Sequence, residues 1–513
     1  MCIEYLGILL YSFFIIFITH KWTYLKRIIK KKGSSLLKKS KYVIKKKKEA
    51  VAQIKESFFR RESDETSIDA IPKTGMASRE VRDVLESYSQ LGSVDWKQGK
   101  ISGTVYGASK ELSNLVLEAF KLFQYTNPLH TDVFPGLQRM ESSVVSMCMG
   151  LYKSPDTGTG SLTSGGTESI LMACKTYRDM AREKWNVTDP EMVIAESAHV
   201  AFHKAAHYLG ISLVKIKVDS VTRKFNVDKL RGYLNSNTIL VAASAPSFPH
   251  GVIDPIERIG SVIGIYNDKN ENQIGYHIDA CLGGFILPFM DHIHSKDSHY
   301  NFTSPSVTSI SLDTHKYGYS PKGASVILYR DKLTAQYQYF VEADWSGGIY
   351  LSPTLAGSRS GTIIAGTWAT MIHLGFKGYV ENTRKILHAV DYIYAELMET
   401  KHLRVLVKPD ATVISFTSDD FDIYILSQLM AKKGWNLNIL QFPPSLHICV
   451  TLVHTPDVSR SFITDMRICI SQIMEDSTIK AEGVYGIYGS SQGIPDRSLI
   501  KEIGYEYLVA YYS

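Results

Sequence analysis

The chain has 513 residues, enough for two or three structural units around a sizeable core. Residues 1–50 carry 13 Lys and Arg against Glu4 and Glu49, a net +11, which leaves −5 on residues 51–513 of a chain whose total is +6. The basic character therefore belongs to the N-terminal tail and argues against a nucleic-acid-binding body, while six scattered cysteines with no CxxC pair argue against a disulfide framework or a zinc site.

Residues 5–19, YLGILLYSFFIIFIT, are free of charge. At the rise of an α-helix they and their neighbours span roughly 22–26 Å, short for an average bilayer and close to a thin one. Trp22 and Tyr24 follow where an interfacial aromatic belt sits, and then a dense run of lysines begins. We expect a membrane-spanning segment over 1–20 and a basic juxtamembrane linker over 21–60. The positive-inside rule then leaves the rest of the chain in the cytosol. A cleaved signal peptide and a helix lying in the interface are the competing readings. The first lacks its basic n-region and small-residue cleavage site. Beside a membrane the basic linker attracts anionic lipid headgroups, by up to ~1 kcal/mol per residue.

A segment over 61–139 precedes the body proper. From about residue 140, short apolar runs alternate with amphipathic stretches. Strands are expected over 192–195, 213–218, 239–244 and 274–278, with helices over 201–209 and 256–267 between them. Two more strands, 307–312 and 324–329, flank the loop HKYGYSPKG. This alternation predicts an α/β domain over 140–375, built on a mainly parallel sheet covered by helices. The pattern then changes: helix 379–399, strand 412–416, helix 423–433 stopped by Gly434, and strand 447–453. A smaller α+β domain over 376–513 is expected. His447 stands two residues before Cys449, and nothing nearby completes a metal site.

The stretch SLDTHKYGYSPKG places Lys316 in a loop directly after an apolar strand, beside His315 and Tyr317. A buried lysine whose amine is freed of its proton can form a Schiff base with an aldehyde cofactor, although a loop lysine is usually only a surface charge. Three other features bear on the choice. Asp279 ends the apolar run of YHIDACLGGF, where a carboxylate can hold a proton on a pyridine nitrogen or simply cap the next turn. TSGGTES opens a helix with small residues whose N–H groups can cradle a phosphate, or with an ordinary cap from Thr167 and Glu168. His199 lies between a strand and a helix, where its ring can stack on a cofactor or merely pack.

Together these occur in the order found in fold-type I pyridoxal phosphate (PLP) enzymes, and the chain resembles the group that includes glutamate and aromatic amino-acid decarboxylases. It resembles the sphingosine-1-phosphate lyases more closely. That likeness is carried by SGTVYGA (102–108), NPLHTDVFPG (127–136), TSGGTESILMACK (163–175), SFPHGVIDP (247–255) and HIDACLGGF (277–285). DTHKYGYSPKG (313–323), DWSGGIYLSPTLAGSRSG (344–361) and KGWNLNILQFPPSLH (433–447) continue it. The resemblance implies PLP as cofactor, with Lys316 as the Schiff-base lysine, Asp279 at the pyridine nitrogen and His199 on the ring. It puts Gly165, Gly166, Thr167 and His315 around the phosphate and Tyr106, His130 and Lys322 at the substrate. It also implies a homodimer in which Tyr350 and Ser358 reach the partner's cofactor, and a single-pass protein of the endoplasmic reticulum membrane.

The activity so implied is retro-aldol cleavage of a phosphorylated long-chain base between C2 and C3, giving a long-chain aldehyde and phosphoethanolamine. Lys322, Tyr106 and His130 are unranked candidates for its proton transfers. A second lysine so close to Lys316 is also expected to lower the pKa of Lys316 by like-charge repulsion. The alternatives are an amino-acid decarboxylase, which has no evident need of a membrane anchor, and a silent membrane scaffold, which has no need to keep Lys316, Asp279 and Lys322.

Overall fold

The structure, a computed structural model, describes residues 68–512 apart from 69, 93, 108, 297 and 493–496. The membrane segment expected over 1–20 and the linker over 21–60 lie outside the described residues. Among the described residues no helix is long and apolar enough to cross a membrane. Two compact units emerge. One, formed by the described residues up to 92 and from 476 on, contains helices Ser78–Ser89, Gly483–Gln492 and Ser498–Tyr511. The other, 93–475, holds every residue singled out for chemistry.

Within 93–475, helices α1 (Lys110–Phe123) and α2 (Pro135–Leu151) lead into β1 (Thr159–Thr163) and α3 (Gly166–Trp185). There follow β2 (Glu191–Ala195), α4 (Ala201–Leu209), β3 (Ser212–Ile216), β4 (Thr238–Ser244), α5 (Ile256–Asn267), β5 (Gly275–Asp279), β6 (Ser309–Leu312) and β7 (Ser325–Tyr329). The seven strands form one sheet in the order β1-β7-β6-β5-β4-β2-β3. Only β7 runs against its neighbours; the remaining pairs, β6-β5, β5-β4, β4-β2 and β2-β3, are parallel. β4, β5, β6 and β7 are buried at every residue, as a sheet covered on both faces demands. On one face Ile170, Cys174 and Tyr177 of α3 and Phe202 of α4 pack into a core with Met192, Leu240 and Ile327 of the sheet. Each large apolar side chain there contributes about 1.5–3 kcal/mol.

The parallel register sets Ser244, Asp279 and Ser311 side by side at the carboxyl ends of β4, β5 and β6. In open α/β sheets this is the edge where ligands bind. A hairpin, β8 (Phe340–Glu342) with β9 (Tyr350–Ser352), then precedes α6 (Gly361–Met398). A four-stranded antiparallel sheet, β10-β11-β13-β12, completes this unit, with β10 Arg404–Val405, β11 Val413–Thr417, β12 Asn438–Leu440 and β13 Ser445–Cys449. Helices α7 (Ile423–Lys432) and α8 (Pro456–Glu475) accompany it.

Some expectations require correction. The helix predicted over 379–399 is the second half of α6, which starts at Gly361 and breaks at Gly375, where φ 55° and ψ 176° leave the helical region. The strand predicted over 447–453 begins at Ser445 and ends at Cys449; beyond it Leu452 N–H bonds the Tyr106 carbonyl instead of a strand partner. β1 was not expected, because TGSLT offers a single large apolar side chain, Leu162.

Candidate active site

The carboxyl edge of the large sheet encloses a cavity of about 330 Å³, lined by Ser164–Glu168, His199, Pro246, Phe248, Asp279, Cys281, Asp313, His315 and Lys316 among others. Each wall comes from a loop that leaves a strand end. β1 ends at Thr163 and turns through Ser164 and Gly165 into α3. Gly165 has φ 153° and ψ 168°, a conformation essentially reserved for glycine. At Gly166 a Cβ would stand 2.8 Å from both the Asp313 carboxylate and the Cys281 sulfur, so the backbone can approach the cavity only without a side chain. No side chain caps α3. The alternative of an ordinary cap from Thr167 and Glu168 therefore fails, and the first N–H groups of a 20-residue helix are left for an anion.

Asp279 closes β5 on the cavity floor, buried, with Oδ1 accepting the Cys281 N–H at 3.0 Å. His199 Nδ1 accepts the Ala201 N–H at 3.2 Å, which leaves its proton on Nε2. Its ring lies edge-on to Phe248, 6.3 Å between centroids. His315 Nδ1 accepts the Ala324 N–H at 3.2 Å, and burial pushes its pKa down despite the neighbouring Asp313.

Lys316 Nζ meets Asp313 Oδ2 at 2.9 Å. Burial works against its charge, but the Asp313 carboxylate outweighs it and pushes the amine above the usual lysine range. The expectation that Lys322 lowers Lys316 is thereby reversed. Lys322 is the lysine pushed down, by burial and then by Lys316. Its ammonium lies 4.8 Å from the centre of the Tyr106 ring and donates to the His315 carbonyl at 3.3 Å. Tyr106 packs edge-on against Tyr317 at 4.8 Å. Burial, reinforced by Cys449, raises its phenol, so it stays protonated. It is held by Gly103, whose N–H bonds the Cys449 carbonyl, and by Thr451, whose hydroxyl bonds the Val105 carbonyl.

The cavity thus gathers Gly165, Gly166, Thr167, His199, Asp279, His315 and Lys316, with Tyr106 and Lys322 beside Lys316. His130 and Ser358 do not line it. They occupy a cluster around Asn127, whose amide donates to Ser358 Oγ at 3.0 Å and whose Oδ1 accepts the Leu129 and Arg359 N–H groups. Both are exposed. Asp313, Glu168, Phe248 and Cys281 were not anticipated. Asp313 had a legible signal, since it stands three residues before Lys316. Among the described residues no cluster of His, Cys, Asp and Glu suits a metal ion.

The residues fit PLP. The glycine turn leaves room for a phosphate, Asp279 is a buried carboxylate, and Asp313 Oδ1 is buried without a hydrogen-bond partner. Residues 95–419 match the family model for the pyridoxal-dependent decarboxylase conserved domain. Over 452 residues the chain is 44% identical to sphingosine-1-phosphate lyase 1 of Rattus norvegicus, covering 88% of this chain and 78% of that protein. The chain belongs to the sphingosine-1-phosphate lyase family. The solved sphingosine-1-phosphate lyase of Burkholderia pseudomallei agrees: TM-score 0.76 and 37% identity, covering 80% of this chain and 95% of that one. A glutamate decarboxylase of Lactobacillus brevis, 21% identical over 81% of this chain and 97% of its own, superposes with TM-score 0.71 and shows the fold alone. Family membership makes the chain a PLP-dependent carbon–carbon lyase by kind.

Proposed function

We propose that this chain cleaves a phosphorylated long-chain base of the sphingosine 1-phosphate type between C2 and C3, releasing a long-chain aldehyde and phosphoethanolamine. One observation carries the reading: Lys316 lines the cavity together with the glycine turn, its amine on the Asp313 carboxylate, in a chain 44% identical to a lyase named for that substrate. The decarboxylase reading has the family model's description and neighbours of low identity behind it. The silent-scaffold reading has no feature of the cavity behind it.

When bound, PLP supplies an electron sink for the pair released as the C2–C3 bond breaks. We assign its phosphate to the N–H groups of Gly166 and Thr167 with His315, its ring nitrogen to Asp279 and its ring face to His199. Lys316 must lose a proton before its amine can attack an aldehyde, and its ion pair with Asp313 Oδ2 at 2.9 Å opposes that loss. We rank the three proton-transfer candidates by their surroundings. Tyr106 is held protonated and serves as a donor, and His130 lies outside its own chain's cavity. Lys322, whose proton is loosened, is our choice to take the proton of the substrate's C3 hydroxyl.

The test is incubation with PLP and a labelled phosphorylated long-chain base beside Lys316→Ala. Long-chain aldehyde from the parent alone supports the reading; none from the parent, with PLP bound, sends the site to another amine substrate.

The proposal includes the segment over 61–139 and domains over 140–375 and 376–513, a homodimer, and a tether in the endoplasmic reticulum membrane with the catalytic body in the cytosol. The uncharged run 5–19 and the lysines behind it support the tether, since the substrate itself partitions into membranes. Removing residues 1–60 is expected to move the protein from the membrane to the soluble fraction while detergent-assayed activity survives. Retention in the membrane fraction would overturn the tether.

A further inference from the structure

We propose that Glu168 is the positioning residue of the phosphate cradle. Its buried carboxylate ties the Ser164–Gly165 turn to the loop over 353–360 and leaves the first N–H groups of α3 to the cofactor. The inference rests on the PLP reading above and deepens it.

Glu168 is the third residue of α3, 8% exposed, in the wall of the cavity that the phosphate would enter. The positive end of α3 favours a carboxylate there, but burial and repulsion of a phosphate oppose it. Its hydrogen bonds account for its presence. Oε2 accepts the Ser164 N–H at 2.7 Å and the Ser164 hydroxyl at 2.5 Å, while Oε1 accepts the Leu355 N–H at 3.0 Å. Three donors compensate the charge from outside the helix.

The two ends of this bridge differ in purpose. At one end Ser164 precedes Gly165, whose backbone is held in its glycine-only conformation. At the other, Leu355 begins a stretch that is fastened again four residues later. There Arg359 pairs with Glu141 and also approaches the Leu162 carbonyl of β1. Ser358 lies between the two fastenings. The cradle and the Ser358 loop are therefore tied together, with Glu168 hydrogen-bonded to both.

The bridge needs a group that accepts at both oxygens. Gln can accept at one oxygen only, and turns an amide donor toward either Ser164 or Leu355. Asp keeps the charge but is too short to reach both.

The experiment titrates cofactor-free, full-length protein with PLP, followed by absorbance, for the parent, Glu168→Gln and Glu168→Asp. Backbone exchange at Leu355 is measured alongside. Both variants are expected to bind PLP at least tenfold more weakly, Glu168→Gln despite losing a negative charge beside the phosphate, and Leu355 to exchange faster in both. If Glu168→Gln binds PLP as tightly as the parent or more so, or if Glu168→Asp leaves binding unchanged, Glu168 acts only through its charge and the proposal falls. Should Glu168→Gln fail to fold, Glu168→Asp decides. A parent that does not bind PLP overturns the cofactor reading instead, which separates the two failures.

Discussion

At the scale of single residues, the site divides its two lysines by environment. Lys316 sits against Asp313 and is held charged, while Lys322, over the Tyr106 ring and near Lys316, holds its proton less firmly than a free lysine. Groups whose surroundings push their pKa values apart are the usual mark of divided acid and base roles. If Lys322 is the base, the neutral amine is the active form, so kcat/KM rises with pH along a limb lying below lysine's ordinary 10.5. Lys322→Arg keeps a positive charge but does not release a proton in this range. It is expected to abolish that limb and lower the rate by about 10²–10⁴-fold. A pH–rate profile in which the limb persists in Lys322→Arg removes Lys322 from the role. The residue types were readable in the sequence because each follows a strand end. Their mutual charge effects were not, because Asp313 was not recognised as the partner that decides the state of Lys316.

At the scale of elements, the connection after β4 shows how the fold braces the cavity. Asp254 Oδ2 accepts the Ser244 N–H at 2.8 Å, its own N–H bonds the Ser244 carbonyl, and Oδ1 accepts the Phe225 N–H. This closes the loop that carries Pro246 and Phe248 into the cavity wall. Burial pushes Asp254 up to about 6, against the pull of those two N–H groups and Lys224. In the unfolded chain the same carboxyl ionises near its ordinary 3.8. The folded state thus holds the proton more tightly, and the stability from this group is full below about pH 4 and lost as pH rises through about 6. Asp254→Asn lacks that titration. Its unfolding free energy relative to the parent is expected to climb between pH 4 and 6, by no more than about 3 kcal/mol. A difference that stays flat across this window, measured by denaturant melts, contradicts the assignment. Regular elements were legible where their pattern was strong. The fully buried β4 and β5 and the amphipathic α4 and α5 were expected within a residue or two of where they lie. The break at Gly375 was not, since glycine inside a helical pattern does not announce the φ of 55° that it adopts.

At the scale of the whole molecule, the question is whether His130 and Ser358, which do not line the cavity of their own chain, serve that of a partner. In the chain itself they meet each other through Asn127, on an exposed surface. Nearby in sequence, the β8–β9 hairpin exposes Val341 (63%), Trp345 (57%) and Ile349 (74%) to solvent. An apolar display of this kind is a candidate for burial by another protein surface. The sequence resemblance implied a homodimer sharing its sites. In one chain His130 and Ser358 stay outside the cavity, so a shared site is a proposal that mixed dimers can test. If each cavity takes Lys316 from one chain and His130 from its partner, then Lys316→Ala and His130→Ala are each inactive alone. Yet a dimer holding one chain of each has one cavity with both residues intact. Random mixing by co-expression makes half of the dimers mixed, with one working site in two, so about a quarter of the parental activity should return. If both residues serve the cavity of their own chain, every chain in the mixture lacks one of them and no activity returns. Aldehyde production by the co-expressed pair, with mixed dimers isolated through two different affinity tags, therefore distinguishes a shared site from a self-contained one.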